Sequence, residues 1–98
     1  MTSPADLFSV KDRFAVVTGG SRGIGLDMAQ ALVAGGATVV ISSRKEQAVD
    51  AAVEALSEHG TAYGLAADLG TVDGAKALAA FVAEKTDKVD ILVNNAGV

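Results

Sequence analysis

Four of the eight residues from Thr18 to Gly25 are glycine, and the run directly follows the apolar stretch Phe14-Ala15-Val16-Val17. Glycine at that density, where a buried strand ends, serves either a tight turn or a close approach of the backbone to an anion. It permits positive φ and puts no Cβ in front of the backbone N–H groups. If a helix begins there, its first turn presents unpaired N–H groups and about half a unit of positive charge. That combination binds phosphate. In this reading Gly19 makes the turn, Gly23 allows the close approach, and Gly25 lets helix pack tightly on strand. The backbone from Gly19 through Gly20, Ser21, Arg22 and Gly23 to Ile24 would form the cradle.

Few other residues offer chemistry. The chain has no cysteine, so thiolate nucleophiles, thiolate metal sites and disulfides are excluded. His59, the single histidine, has no companions at metal-ligand spacing. Asp27, Asp50, Glu54 and Glu58 read as solvent-facing helix charges rather than an acid/base pair. A net charge of −4 without a Lys/Arg cluster argues against nucleic acid as a partner. The N-terminus lacks the basic start and apolar stretch of a signal peptide. The longest apolar runs are far too short to span a bilayer. The expectation is a soluble, cytoplasmic protein with no membrane partner. Half the residues are apolar, enough for a packed core.

The elements that would position the glycine loop alternate regularly. Residues 14–18 read as a strand buried on both faces. Residues 23–34 read as a helix with Ile24, Met28, Ala31 and Leu32 on its inner stripe, ended by Gly35-Gly36. Residues 38–42 form a second buried strand. Ser43-Arg44-Lys45-Glu46 has the spacing of a capping box, opening a helix to about Glu58 with Val49, Val53 and Leu56 inward. A weaker strand spans 61–66. Thr71 can cap a third helix with Ala75, Leu78 and Val82 inward, and residues 90–94 give a fourth strand. The order β-α-β-α-β-α-β predicts an α/β fold: a parallel sheet with right-handed crossovers and helices on both faces. No linker divides residues 1–98, so one domain is expected.

The glycine stretch "TGGSRGIG" lacks the literal G-x-G-x-x-G fingerprint and instead resembles the cofactor loop of the short-chain dehydrogenase/reductase family. Asp68-Leu69 in "AADL" and Asn94 to Gly97 in "NNAG" resemble two further family stretches. All three fall at strand carboxyl ends, in family order, and the likeness covers the chain from about Val10 onward. It implies a Rossmann-type strand order 3-2-1-4 and a nicotinamide dinucleotide cofactor. It implies that Gly19 to Ile24 cradle the ribose and pyrophosphate, and that Asp68 accepts from the adenine amino group with the Leu69 backbone beside it. Asn94 would touch the adenosine ribose region and tie the fourth strand to its neighbours. Ala96 and Gly97 would leave room for the cofactor. Read from the residues alone, Asp68 could equally be a helix-entry carboxylate and Asn94 a strand-end turn residue.

The end of the second strand bears on which dinucleotide fits. NAD-dependent members usually carry an acid there for the ribose 2′-hydroxyl. Ser43 occupies that approximate place, and Arg44 follows. A guanidinium can hold a 2′-phosphate in a bidentate fork. Arg22 could approach the same phosphate, and Lys45 adds long-range attraction. Arg44 and Lys45 could instead be solvated charges, but cations at a helix start oppose its dipole. The reading favours NADP(H) over NAD(H). The family's chemistry also needs a tyrosine with a lysine four residues on. The only tyrosine is Tyr63, and residue 67 is alanine, so Tyr63 reads as a packing residue. The resemblance therefore implies the cofactor-binding part of a longer oxidoreductase that interconverts a carbonyl and an alcohol. Its catalytic residues would lie past Val98, and this chain alone would be inactive. Two alternatives stay open: a stand-alone nucleotide-binding module, or an assembly element that completes a sheet with a second chain. The Ile91-Leu92-Val93 run would lie at an open edge and favour self-association or a homo-oligomer.

Overall fold

The computed structural model describes residues 9–95. Seven elements alternate along the chain: β1 (Phe14–Thr18), α1 (Gly23–Ala34), β2 (Thr38–Ser43), α2 (Glu46–Ser57), β3 (Ala62–Ala66), α3 (Val72–Ala83) and β4 (Ile91–Asn94). The strands form one parallel sheet in the order β3-β2-β1-β4. This is the Rossmann-type arrangement read from the sequence. β1 lies between β2 and β4 and is buried at all five positions, which is why its sequence runs apolar without alternation.

Side chains alternate between the two faces of the sheet. Ala15, Val17, Val39 and Ile41 pack with Ala29 and Val33 of α1 and Val49, Ala52 and Leu56 of α2. Phe14, Val16 and Val40 pack on the other face with Leu78 of α3, flanked by Leu65, Leu69, Phe81 and Val82. Two helices therefore cover one face and a single helix covers the other. Leu92 of β4, on the α3 side, is 67% exposed.

Three local expectations are corrected, the simplest being Ala75 of α3, read as inward but exposed beside the buried Leu78. The inner stripe of α1 is Gly25, Ala29 and Val33, whereas Ile24 and Met28 are 71% and 40% exposed. Small residues take the sheet-facing positions because they let the helix axis approach the strands; the larger side chains are turned out. Ser43 does not cap α2. The N-cap is Lys45, with no side-chain cap bond. Ser43 remains in the β2 ladder opposite Ala66 and accepts the Ala67 N–H through its carbonyl, two residues short of where a cap must stand. Thr71 does cap α3: its hydroxyl accepts the Gly74 N–H at 3.0 Å.

The amino edge of the sheet is locked by Asp90. Its carboxylate accepts the Phe14 N–H at 2.8 Å while its own N–H donates to the Phe14 carbonyl at 2.9 Å. Lys88 and Arg13 stand 3.5 and 3.8 Å away. That N–H bond, with the two cations in support, holds the Asp90 carboxyl below the ordinary aspartate value.

Candidate functional site

At the opposite, carboxyl edge, β1 hands the chain to the glycine loop. Gly19 has φ +70°, and its N–H donates to the Ser42 carbonyl at 2.7 Å, so the turn is anchored on β2. Gly20 lies flat on that strand: a Cβ there would stand 2.8 Å from Ile41 Cγ2. Gly23 opens α1 with φ +61°, and a Cβ built on it meets nothing within 4 Å. Gly25, one residue further into the helix than Ile24, is the reverse case. A Cβ there would overlap the Gly19 carbonyl oxygen and come 2.8 Å from Asn95 Nδ2. Gly19, Gly23 and Gly25 thus serve a turn, an open approach and a tight contact.

The head of α1 carries no capping group. Arg22, at the N-cap, makes no side-chain cap bond, and no acidic residue stands in the first turn. Among the described residues the positive end of the helix dipole is therefore uncompensated, beside a glycine that leaves space in front of it. Helix N-termini of this kind present N–H groups and partial positive charge together, an arrangement that suits an anion.

The loop is also tied to β4, through Asn94 and through two residues to which the sequence reading gave no role, Thr18 and Asn95. The Thr18 hydroxyl lies 3.0 Å from Asn94 Oδ1 and 3.3 Å from the Val93 carbonyl. The Asn95 N–H reaches the Thr18 hydroxyl at 3.1 Å and its carbonyl at 3.2 Å. Asn95 Nδ2 donates to the Gly19 carbonyl at 3.4 Å. Asn94 thus ties the fourth strand to β1, as expected of it. Asn95 holds the turn itself. The legible signals were a hydroxyl ending an otherwise apolar strand and a doubled asparagine directly after another strand.

At the end of β3, the Asp68 carboxylate accepts the Gly70 N–H at 2.9 Å, and its carbonyl accepts from the Thr71 hydroxyl and N–H. The helix-entry role is therefore real. The bond to Gly70 uses Oδ1, and the residue is exposed. Leu69 packs against the second core cluster. At the last position of β2 Ser43 is half-buried, while Arg44 just beyond it and Arg22 at the loop are exposed. Neither guanidinium is in an ion pair among the described residues. Ala96 and Gly97 lie outside the described residues.

Tyr63 sits on the edge strand, with the Lys85 ammonium 4.3 Å from its ring centroid and 4.3 Å from that of Phe81. The lysine stem and the two rings clamp the end of α3 to β3, away from the glycine loop. Among the described residues no helix is long and apolar enough to cross a membrane.

The model of the short chain dehydrogenase family matches residues 13–98. The rhamnolipids biosynthesis 3-oxoacyl-[acyl-carrier-protein] reductase of Pseudomonas aeruginosa is 46% identical over 90 residues, which are 92% of this chain and 35% of that protein. A Pseudomonas aeruginosa RhlG/NADP active-site complex superposes with a TM-score of 0.87 at 45% identity, covering 93% of this chain and 37% of the other. An L-sorbose reductase from Gluconobacter frateurii, complexed with NADPH and L-sorbose, gives 0.88 at 33% identity, with 93% and 35% covered. The chain spans about a third of the length of the relatives it matches.

Proposed function

The chain belongs to the short-chain dehydrogenase family, and from that premise we propose that it forms the NADP(H)-binding part of an oxidoreductase that interconverts a carbonyl and an alcohol. The observation that carries the reading is the uncapped head of α1 behind Gly23, where a glycine of positive φ faces open space. A pyrophosphate there would accept from the backbone N–H groups between Gly19 and Ile24. Two of the matched structures are named as NADP and NADPH complexes, and two relatives are named as reductases, which supports both the dinucleotide and the reaction class.

Within this proposal each residue has one task. Ser43 leaves the ribose 2′-position free of a carboxylate, and Arg44 with Arg22 supplies the charge that a 2′-phosphate needs. The Asp68 carboxylate receives the adenine amino group, and Leu69 presents its backbone beside it. Asn94, with Ala96 and Gly97, borders the ribose. When bound, the dinucleotide gives or takes the hydride. This chain holds and orients it. The proton-transferring tyrosine and its lysine are not among residues 1–98.

The test is the affinity of 2′,5′-ADP against 5′-AMP by titration calorimetry. A charge-assisted contact contributes about 1.5–3 kcal/mol, roughly 10- to 150-fold in affinity. The 2′-phosphate is expected to improve binding by that factor, and Arg44→Ala to remove most of the gain. Equal affinity of the two nucleotides for the unmodified chain would overturn the NADP(H) reading.

A further inference from the structure

At the amino edge of the sheet, opposite the glycine loop, a cavity of about 280 Å³ lies between the start of β4 and the lead-in to β1. Its apolar wall is Val10, Val89 and Ile91, and its charged rim is Arg13, Lys88 and Asp90. Val10 and Ile91 pack against the core cluster on the α1 face, while Val89 is 41% exposed. The rim carries two cations and one anion. Asp90 gives one oxygen, Oδ2, to the Phe14 N–H, and both cations share the other, Oδ1, at 3.8 and 3.5 Å. Charge-assisted pairs close to about 2.7–2.9 Å, and both basic side chains remain largely in solvent. The rim therefore has positive charge to spare, next to an apolar wall.

The point where the described chain begins says what covers this wall. Residues 1–8 lie outside the described residues, and Ser9 leads directly into Val10, which is itself part of the wall. Val10 is fixed there by its N–H bond to the Gly35 carbonyl at 3.1 Å. Phe8 is thus tethered within about 7 Å of Val10, and Asp6 within about 14 Å, at the rise of an extended chain. In an extended lead-in, side chains two residues apart share a side. Phe8 and Asp6 then fall on the side of Val10, and Leu7 and Ser9 on the other. Phe8 is the one aromatic residue among residues 1–8, and Asp6 is their one charged side chain. An apolar group followed by an acidic one, in that order outward from Val10, matches an apolar wall with a cationic rim.

We propose that residues 5–8 dock in this cavity, with the Phe8 ring against Val10, Val89 and Ile91 and the Asp6 carboxylate over Lys88 and Arg13. Docking couples the first residues of the chain to β4, on the edge that Asp90 locks. The tether favours this occupant over a free one: a segment held two residues away is presented at an effective concentration of about millimolar. The proposal stands apart from the cofactor reading, since it concerns the edge that the glycine loop does not touch.

The sequence has no tryptophan, so Phe8→Trp places a single indole in the 98-residue chain. Its emission is titrated with acrylamide in buffer and in concentrated urea. Burial of an aromatic ring is a preference of roughly 10- to 150-fold, and quenching in buffer should be at least roughly 10-fold weaker than in urea. Val89→Asp, which puts a carboxylate into the apolar wall, should restore quenching to the urea value. Val72→Asp, on an exposed valine of α3 that does not line the cavity, should leave it weak. Lys88→Glu should strengthen quenching by roughly 2- to 5-fold, the scale of an exposed ion pair, and Asp6→Lys in the same chain should reverse that change. Equal quenching in buffer and urea would overturn the proposal, whether the segment is free or the chain unfolded. Protection that survives both Val89→Asp and Lys88→Glu would overturn it by placing the ring elsewhere. Protection that grows with protein concentration would overturn it by assigning the cavity to a second copy.

Discussion

Replacing Gly25 and Gly23 separately by alanine distinguishes packing from ligand approach within a single loop. At Gly25 the added methyl would overlap the Gly19 carbonyl oxygen and come 2.8 Å from Asn95 Nδ2. The first neighbour is backbone, held by the Gly19 N–H bond to Ser42, so it cannot swing aside as a long side chain could. Overpacking of this kind costs about 1–3 kcal/mol, and the rigidity of the neighbour places it near the top of that range. Alanine gains about 0.8–1.0 kcal/mol over glycine in a helix. The net is a loss of about 2 kcal/mol, or a fall in Tm of roughly 8–16 °C for a domain of this size. At Gly23 there is nothing to strike, and the penalty is conformational, about 1–2 kcal/mol for a left-handed residue. Its methyl, however, would stand in the open space before the head of α1. The assay pairs a thermal melt by circular dichroism with calorimetric titration of 2′,5′-ADP at a temperature where both variants are folded. Gly25→Ala is expected to lose stability, and Gly23→Ala to lose nucleotide binding out of proportion to its stability. A Gly25→Ala melt within about 2 °C of the parent would refute the packing argument. Undiminished binding by folded Gly23→Ala would refute the cradle.

Two further predictions concern the sheet. Ser42 is 1% exposed and its hydroxyl finds no hydrogen-bond partner among the described residues; a buried unsatisfied group costs about 1–3 kcal/mol. Ser42→Ala should therefore leave stability unchanged or raise it, and a urea midpoint shifted clearly downward would show that the hydroxyl is bonded. Asp90 titrates below its ordinary value of 3.8 because its charged form accepts the Phe14 N–H. A lowered folded value means the unfolded chain binds more protons in acid, so this contribution is intact above pH 3.8 and lost as pH falls through the folded value. Asp90→Asn should destabilise the protein at neutral pH and flatten the acid limb of stability against pH; an unchanged acid limb would remove Asp90 from the lock.

The order of elements was legible because its signals are local and strong. β1 and β2 are short Val-rich runs ending in polar residues, and the Gly35-Gly36 pair stops α1 cleanly. What periodicity could not decide was which side of α1 faces the sheet. Ile24 and Met28 make the more hydrophobic stripe, but the sheet takes Gly25, Ala29 and Val33. A close helix–sheet contact selects small volume at its nearest points, and a count of apolar residues does not register volume. The capping box at Ser43 failed for a related reason. The S-x-x-E spacing is a local rule, and the ladder to Ala66 extends β2 through Ser43, a partner some twenty residues away that the spacing cannot see.

The site shows the same division between local and distant causes. Gly19 and Gly23 could be read from the sequence because positive φ is a property of one residue. Thr18 and Asn95 could not, because their roles exist only once β4 lies beside β1. That adjacency has a consequence for the loop. Gly19 is held from below by the Ser42 carbonyl on β2 and from the side by Asn95 Nδ2 after β4, and Gly25 fits only because both neighbours are where they are. The glycine loop is therefore not a portable turn between a strand and a helix. It takes its shape from three adjacent strands, and the last of them, β4, arrives some seventy residues after the loop it steadies. Loosening β4, by opening the Thr18–Asn95 contacts or the Asp90 lock at its other end, should reach the glycine loop through Asn95 even though neither change touches a glycine.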